Sequence, residues 1–179
     1  LKMGFTSEAK MIQMGVHDMI WGRLTDTMLI ENKGIVHLSK YIHPRAEPEI
    51  CFRICKDMVG EIAFEDLDQY VDGIAAAIEI IDSRFENFKF SLEDVVADNC
   101  SSTGLVIGAW QKPTRSVSDL DMTQSFNGEV VASGSSADIL GDPWKSLQAA
   151  TRLAAKYDEP IKAGNVVMAG AATAAVFMK

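Results

Sequence analysis

The sequence predicts an α+β domain with more strand than helix, and three segments carry that prediction. Polar and apolar side chains alternate over residues 47–55, as in a strand with one buried face. Residues 74–81 form a continuous apolar run, which is typical of a strand covered on both faces. Asn127-Gly128 lies between two β-like segments and is the strongest hairpin signal, because both residues tolerate positive φ.

Caps, turns and shorter apolar runs predict the other elements in chain order. Helical signals lie at residues 6–15, 64–71, 91–96 and 142–156, the last with proline in its first turn. Further strand signals lie at residues 28–30, 35–38, 105–108, 122–126, 129–132, 166–168 and 174–177. No repeat or linker interrupts them, so we expect one domain over residues 1–179. Strand-like runs at both ends lead us to expect that it belongs to a longer chain.

Composition and charge exclude several classes of protein. Lys and Arg number 17 against 25 Asp and Glu, a net charge of −8, which disfavours a nucleic-acid partner. The sequence contains no apolar window of about 18 residues and no export signal, so we expect no membrane partner and a cytoplasmic location. The cysteines Cys51, Cys55 and Cys100 are few and odd in number, which indicates reduced thiols. Cys51 and Cys55 lack zinc-site partners and are predicted to be buried strand cysteines.

Three glutamates are the first candidates for chemistry. Strand geometry puts Glu47 and Glu49 on one face, about 7 Å apart. Glu79 is alone in the apolar run, where an unpaired carboxylate would be costly. Together the three could bind a hard divalent cation through oxygen ligands. A solvated edge strand with an arginine-paired Glu79 explains the same residues without a metal.

Other polar residues each have two interpretations, one functional and one structural. Lys2 could be a catalytic amine with a depressed pKa or a solvated lysine. Asp98-Asn99 and Ser101-Ser102 follow a helix and could hold carboxylate oxygens, although turn chemistry explains them equally well. No glycine-rich phosphate loop occurs, which argues against a nucleotide cofactor.

Several segments, taken together, resemble the hydratase and decarboxylase branch of the fumarylacetoacetate hydrolase superfamily. The matching segments are Lys2-Met3-Gly4-Phe5-Thr6-Ser7, His43-Pro44-Arg45-Ala46-Glu47-Pro48-Glu49-Ile50, Glu79-Ile80-Ile81-Asp82-Ser83-Arg84, Val96-Ala97-Asp98-Asn99 with Ser101-Ser102, and Ala169-Gly170-Ala171-Ala172-Thr173. They occur in the family's order from residue 2 to about residue 177, so the resemblance covers essentially the whole chain.

The resemblance implies a mixed β-roll with a few short helices and a magnesium or manganese ion. The positions that match the family's metal ligands are Glu47, Glu49 and Glu79. The family's functional lysine and serine match Lys2 and Ser101.

Within the branch, residues 80–90 resemble the 4-oxalocrotonate decarboxylases nearly throughout. The related hydratases tend to carry an aspartate where this chain has Ile20. The resemblance therefore implies metal-dependent decarboxylation of 2-oxo-3-hexenedioate in aromatic meta-cleavage catabolism. Two alternatives stay open: hydration of 2-hydroxypenta-2,4-dienoate, and a non-catalytic partner subunit of that hydratase.

The dicarboxylate substrate requires a second site of recognition. We expect Arg84 or Lys89 to bind the second carboxylate, although Arg84 could instead pair with Asp82 or Glu86. Asp26 and Asn99 complete the expected substrate-binding set: Arg84, Lys89, Asp26 and Asn99. A complex with the pathway hydratase and a homo-oligomer are the expected assemblies.

Overall fold

A computed structural model describes residues 1–7, 11–12 and 15–179. The strands in these residues are β1 Lys2–Gly4, β2 Ile20–Gly22, β3 Leu29–Ile30, β4 Arg45–Ile54, β5 Val71–Ile81, β6 Ser102–Ile107, β7 Asp121–Phe126, β8 Glu129–Ser135, β9 Val166–Ala171 and β10 Val176–Phe177. The main sheet has the order β2-β1-β9-β4-β5-β6-β3, with β10 paired to β4. It is mixed, because β1 with β9 and β3 with β6 are parallel pairs. The predicted α+β class is confirmed.

The three segments that predicted the fold form the expected elements. Residues 47–55 and 74–81 lie almost entirely in β4 and β5, which pair antiparallel at the centre of the sheet. Asn127 and Gly128 have φ values of 52° and 85° and connect β7 to β8. The two-sided covering predicted for β5 is incomplete, because Ala76 and Ile78 are exposed.

Two α-helices begin at the predicted caps. Helix α1 spans Leu92–Ala97, and the Ser91 side chain accepts a hydrogen bond from the Asp94 backbone N–H. Helix α2 spans Pro143–Lys156, with Asp142 as its cap. No helix in the described ranges is long and apolar enough to cross a membrane.

Other elements of the structure differ from those that the sequence predicts. Residues 64–71 form a 3₁₀ helix, Phe64–Tyr70, followed directly by β5. The strand predicted at 35–38 is wrong: residues 35–37 are irregular and Leu38–Lys40 is a 3₁₀ turn. Half of the helix predicted at 6–15, residues 8–10 and 13–14, lies outside the described residues. Cys51 is buried in β4 as predicted, whereas Cys55 follows the strand and is exposed.

The two faces of β4 have different roles. Ile50, Phe52 and Ile54 point into the main core, where the Phe52 ring packs 4.8 Å from the Trp144 ring of α2. Each such fully buried side chain stabilises the fold by about 1.5–3 kcal/mol. Because side chains alternate along a strand, Glu47 and Glu49 are placed on the opposite face. The core therefore fixes the strand that presents the two carboxylates.

Candidate active site

The three predicted glutamates meet at the centre of the sheet. Glu47 on β4 is directly opposite Glu79 on β5, and Glu49 follows two residues later on the same face. One carboxylate oxygen from each residue lies within 4.8 Å of one from each of the others. The two-residue period of β4 and the antiparallel register with β5 produce this cluster.

The cluster is short of hydrogen-bond donors. Glu49 and Glu79 are fully buried, and Glu49 Oε1 and Glu79 Oε1 have no hydrogen-bond partner among the described residues. Burial, followed by the charges of Glu79 and Glu47, raises the pKa of Glu49 well above its usual range. Buried acids are ordinarily paired or bound to a cation. Unsatisfied carboxylate oxygens at this spacing fit a hard divalent cation such as Mg²⁺.

Lys2 lies beside the cluster. Its Nζ is 3.1 Å from Glu79 Oε2, and the side chain is buried in β1 next to β9. Burial lowers the pKa of Lys2, but the carboxylates of Glu79, Glu47 and Glu49 raise it, and the net direction is upward. Both sequence interpretations of Lys2 are therefore wrong: its pKa is not depressed, and its side chain is buried instead of solvated. Beside these acids Lys2 is an ammonium group.

The backbone of a glycine holds the Glu49 carboxylate in place. The Gly170 backbone N–H donates to Glu49 Oε2 at 2.7 Å. Gly170 has φ +106°, and a Cβ atom there would overlap the Thr6 side chain. Only glycine therefore fits beside Thr6 at this φ, with its N–H directed at Glu49. Sequence reasoning assigned Gly170 no role, although a glycine in a small-residue run just after the strand predicted at 166–168 was a signal of close backbone approach.

A cleft of about 770 Å³ opens over this cluster. Lys2, Glu47 and Ser101 line it, whereas Glu49 and Glu79 lie beneath its surface. Its apolar walls include the side chains of Phe5, Ile20, Ile81, Phe88, Phe90 and Val95. A polar floor under an apolar wall is the usual form of a small-molecule site.

Ser101 is held in the cleft by a polar network around Asp98. Its Oγ is 3.4 Å from Asp98 Oδ2, and its backbone N–H donates to the Asp98 carbonyl oxygen at 2.9 Å. Asn99, Cys100 and Ser101 all have positive φ, which turns the chain sharply before β6. Arg84 Nη1 donates to Asp98 Oδ1 at 2.6 Å. Arg84 therefore pairs with Asp98, not with Asp82 or Glu86 as the alternative reading supposed.

The four expected substrate-binding residues do not line this cleft. The Arg84 side chain is engaged by Asp98, and Lys89 and Asp26 are exposed. Both amide atoms of Asn99 bond the backbone of Arg23, at 2.7 and 2.9 Å. The structure brings together Lys2, Ser101 and the three glutamates, and leaves the other four apart from them.

Comparison with known proteins identifies the family of this chain. The family model described as fumarylacetoacetate (FAA) hydrolase, C-terminal, matches residues 3–179. The chain belongs to this family. That membership and the mixed sheet confirm the β-roll that the sequence resemblance implied. In this chain the fold places Glu47, Glu49 and Glu79 on two central strands.

Individual relatives within the fumarylacetoacetate hydrolase family indicate narrower groups of enzymes that this chain is similar to. A 4-oxalocrotonate decarboxylase from a Pseudomonas species is 54% identical over 179 residues, which are 100% of this chain and 70% of the relative. The structure of 4-oxalocrotonate decarboxylase from Pseudomonas putida, complexed with magnesium and adipate, is 40% identical with a TM-score of 0.94. The match covers 99% of this chain and 69% of that one. A 2-hydroxyhexa-2,4-dienoate hydratase from Comamonas testosteroni is 34% identical over 94% of this chain and 66% of its own.

Proposed function

We propose that this chain is the catalytic domain of a divalent-metal-dependent carboxy-lyase that acts on 2-oxo-3-hexenedioate. The products are carbon dioxide and 2-hydroxypenta-2,4-dienoate. The observation that carries the proposal is the buried cluster of Glu47, Glu49 and Glu79 with Lys2 beside it at the floor of the cleft. The decarboxylases at 54% and 40% identity support the choice of reaction and substrate.

The substrate is a vinylogous β-keto acid, which defines the electron flow. The bond to the far carboxylate breaks, and its electron pair moves through the conjugated carbons to the 2-oxo oxygen. Carbon dioxide leaves, and the oxygen gains negative charge. The reaction therefore needs positive charge and hydrogen-bond donors at that oxygen.

The protein supplies those donors from two elements. Lys2 on β1 lines the cleft, and its ammonium group stabilises the developing negative charge on the oxygen. It then donates a proton to that oxygen, which gives the 2-hydroxy product, and recovers a proton from solvent. Ser101 lies at the same cleft and serves as a second hydrogen-bond donor.

The metal ligands are Glu47, Glu49 and Glu79. A bound Mg²⁺ or Mn²⁺ would supply Lewis-acid stabilisation of the same negative charge. The carboxylates hold a cation there because two of their buried oxygens have no other partner among the described residues. The three carboxylates would hold a hard cation that prefers oxygen ligands, so the oxygens of a 2-oxo acid would suit the same ion.

Hydration on the same scaffold is the main alternative. The hydratase at 34% identity favours it, but Ile20 lines the cleft and offers no acid to move protons on water. The full set of glutamates with Lys2 argues against a non-catalytic subunit. Association with a hydratase or with a second copy of this chain stays a prediction.

The test is carbon dioxide release from 2-oxo-3-hexenedioate with Mg²⁺, with and without a chelator. We expect chelator-sensitive release, and we expect Lys2→Met to abolish it while the exposed Lys162→Met retains it. Release that persists with a chelator would contradict metal dependence. Consumption of 2-hydroxypenta-2,4-dienoate without carbon dioxide release would favour the hydratase.

A further inference from the structure

One cation of the cleft has no assigned role. Arg45 lines the cleft on β4, two residues before Glu47, and Glu49 follows Glu47 by the same step. Alternation along a strand therefore puts the guanidinium on the face that carries the carboxylates. Successive positions on one face are about 7 Å apart, so Arg45 lies one strand repeat from the metal cluster.

The Arg45 side chain rests on an aromatic support. Its guanidinium carbon is 4.2 Å from the centre of the Phe88 ring, which also lies 4.8 Å from the His43 ring and 6.5 Å from the Phe90 ring. Asn87 and Phe88 have φ values of 55° and 57°, a conformation that costs non-glycine residues about 1–3 kcal/mol each. The fold therefore accepts backbone strain to bring the Phe88 ring under the guanidinium.

Arg45 also differs from other cations in its partners. Lys2, which is the other cation among the described residues that line the cleft, is paired with Glu79. Arg53, on the same strand, stacks 4.9 Å from the Trp110 ring and donates to Asp72 Oδ1 at 2.7 Å. Arg45 is stacked in the same way but forms no ion pair with an acid of the described ranges. A guanidinium stacked on a ring keeps its edge donors for a planar anion.

We propose, on the basis of the proposed function, that Arg45 stacked on Phe88 binds the far carboxylate of the substrate, the one that leaves as carbon dioxide. The carboxyl carbons of an extended six-carbon diacid are about 6 Å apart at roughly 1.25 Å per bond along the chain. That length is close to the step of about 7 Å along β4 from Arg45 to Glu47.

This role has a kinetic consequence. Arg45 attracts the ionised carboxylate of the bound substrate, but the attraction weakens as neutral carbon dioxide forms. It therefore contributes to binding and to the selection of diacids more than to the chemical step. The apolar side chains of Phe90 and Ile81, which line the same cleft, suit the neutral product.

The experiment compares adipate with hexanoate, a monoacid of the same length, by calorimetry in Mg²⁺. We expect wild-type protein to bind adipate more tightly, and Arg45→Met to lose about 10- to 100-fold in adipate affinity, as for one charge-assisted hydrogen-bonded pair. Hexanoate affinity should change little. Arg45→Lys should recover part of the adipate affinity, and Arg53→Met, the stacked arginine outside the cleft, should match wild type.

Turnover gives a second readout. Arg45→Met should raise the KM for 2-oxo-3-hexenedioate far more than it lowers kcat. Equal adipate affinity in wild type and Arg45→Met, or no adipate binding by wild type, would overturn the inference and leave the decarboxylase proposal intact. Adipate selection that depends on Arg45 in a protein without carbon dioxide release would support the diacid site and refute the proposed reaction.

Discussion

Two regions of the molecule bury acids in opposite ways. Glu49 and Glu79, on the central strands, are 0% exposed, and each has an oxygen without a hydrogen-bond partner among the described residues. Asp82 and Asp98, in loops beside the cleft, are 6% exposed. Both Asp82 oxygens accept backbone N–H groups, from Ile42 and His43, at 2.8 Å. Burial alone therefore does not distinguish a functional acid from a structural one; the satisfaction of its oxygens does.

The physical reason is the cost of an unmet hydrogen bond. A buried carboxylate with its donors supplied, such as Asp82 or Asp98, stabilises the loop that it ties down. A buried carboxylate without them destabilises the fold until a cation arrives. The strand cluster is thus stabilised by ligand binding, whereas the loop acids are stabilised by the protein itself.

The largest expected effect comes from neutralising one strand acid. Glu49→Gln removes the cost of keeping an acid in this buried, crowded cluster, so we expect the metal-free protein to gain about 1–2 kcal/mol in stability. The same change should lower Mg²⁺-dependent turnover by about 1,000-fold, because metal stabilisation of the transition state amounts to several kcal/mol. Thermal unfolding with and without Mg²⁺, together with carbon dioxide release, measures both effects.

Glu61→Gln is the matched control, since Glu61 is exposed. It should change neither the metal-free melting temperature nor its rise with Mg²⁺. Loss of stability in metal-free Glu49→Gln would contradict the view that this cluster is strained by unmet charge.

A smaller effect is expected when the backbone behind Glu49 is moved. Gly170→Ala introduces a Cβ that overlaps Thr6, at φ +106°, and displaces the N–H that donates to Glu49. We expect Mg²⁺ affinity to fall about 10- to 100-fold, as is usual for groups that orient metal ligands. Calorimetric titration with Mg²⁺ measures the change.

Gly60→Ala is the control that separates the effect of backbone strain from the effect of moving the Gly170 N–H. Gly60 also has positive φ, at +79°, but a Cβ there meets no atom within 4 Å. It should cost stability through backbone strain and leave Mg²⁺ affinity unchanged. Equal losses of Mg²⁺ affinity in Gly60→Ala and Gly170→Ala would remove the special role of the Gly170 N–H.

The sequence predicted the strand cluster well because its signals are local. The two-residue period placed Glu47 and Glu49 on one face, and an apolar run made Glu79 conspicuous. The direct pairing of Glu47 with Glu79 depends on the register of strands that are distant in the chain, which local pattern does not fix. The failed strand at residues 35–38 has the same cause, since alternation makes a strand only where a neighbour pairs with it.

The loop acids and the cleft rim could be predicted less well, because their contacts are tertiary. Asp82 and Glu86 are nearest to Arg84 in the sequence, yet the turn before β6 brings Asp98 to it. Arg45 received no role from the sequence, because its position over the Phe88 ring depends on the positive-φ turn at Asn87. Such turns are unusual for non-glycine residues and leave no clear signal in composition.

The smallest of the three effects tests the loop acids. In Asp82→Asn one oxygen becomes an NH₂ donor, so one of the backbone N–H groups of Ile42 and His43 faces a donor instead of an acceptor. We expect a loss of about 1 kcal/mol in the free energy of unfolding, measured with urea. The exposed Asp119→Asn should lose almost nothing. Because Asp82 satisfies the protein and not a cation, the loss should be the same with and without Mg²⁺; a loss that Mg²⁺ alters would place Asp82 with the strand acids.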